Sequence, residues 1–177
     1  MSFDERRFRN ALGAFPTGVA IVTGKTQQGE RLGMTVSSFN SVSIAPPLVL
    51  FSVARHARSF FAWCLLQRYA INILSQEQEQ LSNRFARSLD DKWSGVIVAE
   101  GDNGLPFFPN SLAAFECESY ARYSGGDHEI FVGQVVAQRT SARKQEQPLI
   151  FWGGRYRRID AGFQDALPRN VSIFEGW

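Results

Sequence analysis

Apolar and polar residues follow the short period of β-strands through most of this chain. The segment "FECESY" (115–120) alternates cleanly, which predicts a strand with one buried face and one face in solvent. Apolar and β-branched runs predict further strands. These lie at 17–24, 33–43, 48–53, 69–74, 129–138 and 148–159. The pair Pro46-Pro47 indicates a sheet edge or a loop before the strand at 48–53.

Three segments have the spacing of amphipathic helices instead. They lie at 4–14, 58–68 and 76–88. In the first, Phe8, Leu12 and Phe15 fall on one face. Ser2 with Glu5, and Ser75 with Gln78, have the spacing of a capping box at a helix start.

The order of these elements predicts a mainly β fold. Six to eight strands at short spacing, with two or three inserted helices, do not alternate as a doubly wound parallel sheet requires. An antiparallel barrel with a few peripheral helices is favoured. We expect one domain over 1–159 and a C-terminal arm over 160–177, docked through Phe174 and Trp177.

Composition narrows the function classes. The 177 residues are 44% hydrophobic and 20% charged, with a net charge of +2, which gives little reason to expect a nucleic-acid partner. The start "MSFDERRFR" has no apolar run, and no segment has the length of a membrane span, so a cytoplasmic protein without a membrane partner is expected. Cys64 and Cys117 are expected to be reduced, and two histidines are too few for most multi-histidine metal sites.

The stretch "GMTVSSFNSVSIAPP" (33–47) holds the most unusual chemistry. Five hydroxyl residues surround one phenylalanine, although each hydroxyl requires a hydrogen-bond partner once it is buried. Hydroxyls and backbone N–H groups beside an arginine form a cradle for a phosphate, and Arg55, Arg58 and Arg84 are available. A strand at a barrel rim, with its hydroxyls in solvent, explains the same residues and stays open as the alternative.

Five segments carry a resemblance to a known family. They are "FRNALGAFPTGVAIVT" (8–23), "GMTVSSFNSVSIAPPLVLFSV" (33–53), "AINILSQEQEQLSNRFA" (70–86), "GDHEIFVGQV" (126–135) and "PLIFWGGRY" (148–156). In this order and spacing the chain resembles the short-chain flavin reductases. These are NAD(P)H:flavin oxidoreductases that serve as the reductase component of two-component flavin-dependent monooxygenases.

The resemblance implies a fold, cofactors and site residues. The fold would be an antiparallel split β-barrel of the FMN-binding type, with FMN or FAD at a homodimer interface and NADH or NADPH as the hydride donor. Implied flavin contacts are Pro16, Thr17, Gly18, Thr35, Val36, Ser37, Ser38, Ser41, Val42, Arg58, Ser59, Arg84 and Phe85. The implied nicotinamide side is Gly154, Arg155 and Tyr156, and His128 is the implied catalytic residue, facing the flavin.

The implied activity is hydride transfer to flavin N5, after which the reduced flavin serves a partner oxygenase. Such a reaction requires no side-chain nucleophile, because both reacting atoms belong to the cofactors. The chain also contains none of the common nucleotide-binding or hydrolase motifs. A flavin-binding split barrel without catalysis, and an FMN enzyme of the pyridoxamine-phosphate oxidase type, remain as alternatives. The choices between FMN and FAD, and between NADH and NADPH, stay open.

Overall fold

The computed structural model of this chain describes residues 3–142 and 147–159. Within them lie three α-helices: α1 Glu5–Leu12, α2 Phe60–Leu65 and α3 Glu79–Ala86. The strands are β1 Thr17–Gly18, β2 Ala20–Lys25, β3 Arg31–Val36, β4 Asn40–Ser43, β5 Leu48–Ala54, β6 Arg68–Ile73, β7 Ala99–Glu100, β8 Pro106–Phe107, β9 Ala113–Gly125, β10 His128–Thr140, β11 Ile150–Trp152 and β12 Arg155–Arg157. The prediction of a mainly β fold with few helices is confirmed.

A seven-stranded sheet with antiparallel pairing dominates the molecule. Its strand order is β3-β2-β6-β9-β10-β5-β4, so β3 and β4 are the two edges and are not paired with each other. Only Ser37–Phe39 separate the two edge strands along the chain. Four peptide units reach at most about 14 Å, so Val36 and Asn40 lie within that distance. The sheet therefore curls until its two edges approach each other at this connection.

Two apolar clusters fill the interior. The first packs the concave face of the sheet against α2, with Phe51 stacked on Phe131 and edge-on to Trp63 and Tyr69. The second joins β2 to α3 through Ile21 and Phe85, which are both fully buried. Two of the three helices, α2 and α3, thus pack against the sheet.

Three of the predicted strands are interrupted. The segment 17–24 divides at Val19 because β1 leaves the main sheet and pairs with β11. The segment 33–43 divides at Ser37, where the chain passes from one sheet edge to the other. The segment 148–159 is a hairpin, since Gly153 and Gly154 have positive φ angles of 59° and 76°, a conformation that glycine adopts without strain.

The helix ends also differ in part from the prediction. Asp4 caps α1, because its carboxylate accepts a hydrogen bond from Arg7 N at 3.0 Å, whereas Ser2 lies outside the described residues. The predicted contact between Ser75 and Gln78 is present in one half of the capping box, since Ser75 N donates to Gln78 Oε1 at 3.1 Å, and it opens a short 3-10 helix that leads into α3. Ser75 Oγ is buried and has no hydrogen-bond partner among the described residues. No residue of α1 is buried within the described part of the chain.

The prediction drawn from the alternation in "FECESY" is wrong at one position. Glu116 should face solvent, but it is only 2% exposed, because it accepts hydrogen bonds from the 102–103 turn and from Arg139.

The cysteines are free, and burial, followed by the charge of Glu116, raises the pKa of Cys117 to about 12. None of the described helices is long and apolar enough to cross a membrane. The predicted arm at 160–177 lies outside the described residues.

Candidate functional site

The hydroxyl-rich stretch lies where the two sheet edges meet. Ser38 Oγ accepts a hydrogen bond from Ser52 N at 2.9 Å and lies 3.4 Å from Ser52 O, so it fastens the connection to β5. Phe39 stacks on Phe115 of β9 with ring centres 6.0 Å apart. Ser37, directly before Ser38, is exposed. The connection is therefore held at Ser38 and Phe39, while the backbone and hydroxyl of Ser37 stay open to a ligand.

Strands β1, β11 and β12 form a separate three-stranded sheet, called the small sheet below. A second set of hydrogen bonds joins β3 to this small sheet. Thr35 Oγ1 donates to Ser82 O of α3 at 2.7 Å. Ser82 Oγ lies 2.8 Å from Tyr156 Oη, so the two hydroxyls share a hydrogen bond. Ser82 itself is fully buried. The structure thus brings an implied flavin contact, Thr35, and an implied nicotinamide contact, Tyr156, to the same buried residue.

Thr17 approaches the same place from β1. It pairs with Phe151, which in turn pairs with Tyr156 across the small sheet. Thr17 Oγ1 is buried and has no hydrogen-bond partner in the described part of the chain. Since a buried hydroxyl without a partner is unusual, this atom is available to a bound molecule. Pro16 and Gly18 on either side are exposed.

Arg58 and Ser59 lie in the turn between β5 and α2. Arg58 Nη1 is 2.6 Å from Asp90 Oδ1, and the hydrogen bond and charge of Asp90 raise the pKa of Arg58. Ser59 Oγ accepts a hydrogen bond from Trp63 Nε1 at 3.2 Å, so its hydrogen is still available for donation. Both side chains are placed for anion binding, but Arg58 already has a carboxylate partner.

Arg84 and Phe85 at the end of α3 have different environments. Arg84 is half-buried, and no other described residue is its hydrogen-bond or ion-pair partner. Phe85 is fully buried between Trp93 and Phe108, so its side chain is part of the core. Phe85 O accepts a hydrogen bond from Lys92 Nζ at 3.0 Å. Arg84 is therefore the available cation of this pair.

His128 begins β10 and pairs with Ala54 at the end of β5, two residues beyond the contact of Ser52 with Ser38. Its Nδ1 lies 2.8 Å from Asp127 Oδ1, and this contact lowers the pKa of Asp127. Nε2 has no partner among the described residues. His128 is therefore near the connection and presents one free ring nitrogen.

Arg55 holds the turn that carries His128. Its guanidinium contacts Glu129 at 2.6 Å, Ser124 Oγ at 3.0 Å and Gly126 O at 3.2 Å. Arg55 N also donates to Asp127 O. Because these contacts occupy Arg55, it serves to fix the β9–β10 turn, and the sequence interpretation of it as a free phosphate ligand does not fit its geometry.

The remaining implied residues lie around this region at its edges. Ser41 and Val42 are exposed on β4, and the pairing of β4 with β5 shifts register at Val42. Val36 is buried, and its side chain belongs to the first cluster. Gly154 forms the β11–β12 turn, and the neighbouring Arg155 is exposed.

Sequence reasoning missed three residues that organise the site. They are Ser52, Ser82 and Asp90, which hold Ser38, Tyr156 and Arg58 respectively. Each partner pair is separated by at least 14 positions in the chain, so no local pattern indicates the contact. Ser82 lies two residues before Arg84, within the segment 70–86 that carries the family resemblance. This position was the only indication in the sequence that Ser82 belongs to the site.

The fold and these contacts define a class of protein. Residues 12–160 match the family model described as flavin reductase like domain, and the chain belongs to this family. The family resemblance drawn from the sequence is therefore confirmed.

Individual relatives are similar over most of this chain. The FMN reductase (NADH) SmoA of Agrobacterium fabrum is 44% identical over 156 residues, which cover 88% of this chain and 87% of that protein. Reductase subunit HsaB of a flavin-dependent monooxygenase from Rhodococcus jostii is 36% identical, covering 90% of this chain and 80% of that protein. The stachydrine N-demethylase reductase subunit Stc3 of Rhizobium meliloti is 42% identical over 139 residues. The match covers 78% of this chain but only 60% of that protein.

One solved structure adds a ligand-bound comparison. The NADH:FAD oxidoreductase SgcE6 of Streptomyces globisporus, in complex with NAD and FAD fragments, has a TM-score of 0.84 and 34% identity to this chain. The match covers 91% of this chain and 96% of that one.

Proposed function

We propose that this protein uses NADH or NADPH to reduce FMN or FAD and passes the reduced flavin to an oxygenase. Its family membership supports the proposal, as do relatives named FMN reductase (NADH) and monooxygenase reductase subunit. The structural observation that carries it is the buried Ser82, which joins the hydroxyl stretch at Thr35 to the small sheet at Tyr156. One binding region with two sides suits two ligands that must meet face to face.

The available polar groups fit a phosphorylated planar ligand. The flavin when bound supplies the hydride acceptor, so the protein has to provide only binding and orientation. Ser37, Thr17 Oγ1 and the guanidinium of Arg84 each have unused hydrogen-bonding capacity in the described part of the chain. We assign Ser37, Thr17 and Arg84 to the flavin.

His128 has the geometry of a positioning donor near the flavin ring. Asp127 occupies Nδ1, which leaves Nε2 directed elsewhere. A carboxylate that holds one ring nitrogen fixes the orientation of a histidine, so the other nitrogen can face a ligand. We therefore propose that His128 contacts the flavin or the nicotinamide, with Gly154, Arg155 and Tyr156 on the dinucleotide side.

The finer architecture belongs to the same proposal. We infer that the curled sheet is a split barrel, since its unpaired edges are joined by three residues. We also propose a homodimer in which apolar side chains exposed on α1, Phe8 and Leu12, are covered. A cytoplasmic location, expected from the composition, remains part of the proposal.

The first test is NADH and NADPH oxidation at 340 nm by the purified protein, with FMN, FAD or riboflavin added. Oxidation that depends on added flavin would support a reductase, and the fastest pair would identify its substrates. The same titrations, followed by flavin fluorescence, separate binding from catalysis. Flavin binding without oxidation would favour the non-catalytic alternative, and no flavin binding would reject both.

A further inference from the structure

The carboxylate of Asp90, which forms an ion pair with Arg58, has no part in the proposed function so far. Arg58 Nη1 and Asp90 Oδ1 are 2.6 Å apart, yet the two side chains are 75% and 90% exposed. Neither has another hydrogen-bond partner among the described residues. A contact this open can separate without disturbing the core, so Arg58 is free to exchange its carboxylate for another anion.

Asp90 nevertheless reaches Arg58 from a well-anchored loop. The next residue, Asp91, accepts hydrogen bonds from Trp93 N and Ser94 N, both at 3.0 Å. Lys92 Nζ donates to Phe85 O and to Gly33 O of β3. Trp93 packs against Phe85 with ring centres 4.8 Å apart. The loop is therefore fixed one residue beyond Asp90, which keeps that carboxylate close to Arg58.

The loop also places a negative charge beside the binding region. Lys92 ties it to β3 two residues before Thr35, while Asp90 ties it to the turn that follows β5. A phosphate that approaches Arg58 has to displace the Asp90 carboxylate or bind next to it. Displacement loses the ion pair between Asp90 and Arg58, and binding next to Asp90 brings two anions together, so both arrangements weaken phosphate binding.

We propose that Asp90 sets the affinity for phosphorylated flavins by competing with the flavin phosphate for Arg58. This inference rests on the proposed function and on the flavin contact that the family resemblance implies for Arg58. Asp90 lowers the contribution of the phosphate to binding and leaves the contacts to the flavin ring unaffected. A flavin held in this way exchanges readily, which suits a reductase that releases its reduced product to a second protein.

The test compares FMN with riboflavin, which has the same ring but no phosphate. Asp90→Asn removes the competing charge with little change in size. We expect it to tighten FMN binding by roughly two- to fivefold at low salt, measured by quenching of flavin fluorescence. Riboflavin affinity should not change, and Asp90→Glu should restore the weaker FMN binding of the unmodified protein.

Glu118→Gln is the matched control. Glu118 forms an ion pair of similar length with Arg68, at 2.7 Å, and both of these side chains are about half exposed. It removes the same charge from the molecule, so any gain in FMN affinity that it shares with Asp90→Asn would reflect net charge alone. Such a shared gain would overturn the proposal.

Other outcomes are equally decisive. Equal FMN affinity in the Asp90→Asn variant and the unmodified protein, or the same gain for riboflavin, would reject the competition. Weaker FMN binding in Asp90→Asn would mean that Asp90 orients Arg58 instead. If the unmodified protein binds neither FMN nor riboflavin, the proposed function itself fails, and the competition fails with it.

Discussion

Two arginine–carboxylate pairs of equal length lie in very different surroundings. Arg139 and Glu116 are 2.6 Å apart, as are Arg58 and Asp90. Glu116 is buried and receives further hydrogen bonds from the 102–103 turn, whereas Asp90 has only Arg58 among the described residues. The distance between the charges therefore does not distinguish a structural pair from an exchangeable one; burial and the number of additional donors do.

The buried pair organises one end of the β9 strand. Glu116 Oε1 and Oε2 accept from Asp102 N and from both nitrogens of Asn103, and Arg139 also reaches Asp102. Gly101 lies so close to Glu116 that an added Cβ would collide with its carboxylate. The glutamate thus holds the 102–103 turn against β9, and Arg139 lies beside its charge.

The largest expected effect is on the buried pair. Arg139→Ala leaves Glu116 charged and partly uncompensated, so we expect a loss of about 2–3 kcal/mol in the free energy of unfolding. Urea denaturation followed by fluorescence measures it. Arg68→Ala, which removes the exposed partner of Glu118, is the control and should have a much smaller effect. Equal losses in the two variants would contradict the comparison.

The same pair should make stability depend on pH. Burial favours the neutral form of Glu116, but the hydrogen bonds from Asn103 and Arg139 and the charge of Arg139 outweigh it and hold its pKa below 4.5. A carboxyl with a lowered folded pKa contributes stability above its unfolded pKa and loses it as the pH falls through the folded value. Unfolding free energies between pH 7 and pH 3 should therefore decline below about pH 4.5, and less steeply in Glu116→Gln. A parallel decline in both proteins would assign the acid sensitivity to other groups.

The smallest effect is expected for the exposed pair. Arg58→Gln and Asp90→Asn should leave the urea midpoint within error of the unmodified protein, because both side chains are in solvent. In the same preparations, Arg58→Gln should weaken FMN binding while Asp90→Asn tightens it. A clear loss of stability in either variant would show that this pair is structural, like the one at Glu116.

Local patterns in the sequence predicted much of the fold. Strands such as 48–53 and 69–74 lie at β5 and β6 because apolar β-branched runs favour a buried strand wherever they occur. The contact of Gln78 with the backbone of Ser75 is equally local, and its prediction was correct. The wrong assignments, at Glu116 and within 33–43, depend on residues distant in the chain.

For the site, too, the sequence indicated the residue types but not the contacts between them. The residue types came from the sequence: hydroxyls at 35–43, arginines at 58 and 84, and the histidine at 128. Phe85 shows the limit of the approach, since its position in a family motif did not indicate that its side chain belongs to the core. Whether each of these polar groups is hydrogen-bonded or available to a ligand depends on residues elsewhere in the chain.

The sequence by itself determined the strand and helix content, the family and the kinds of polar group at the site. Those properties depend on residue type and short spacing, which act over a few positions. The tertiary structure was required to show that Ser82 joins Thr35 to Tyr156, that Arg55 is occupied, and that Asp90 contacts Arg58. Such contacts arise when the curled sheet brings distant segments within 3 Å of each other, and pairing across so many residues leaves no periodic trace in one chain.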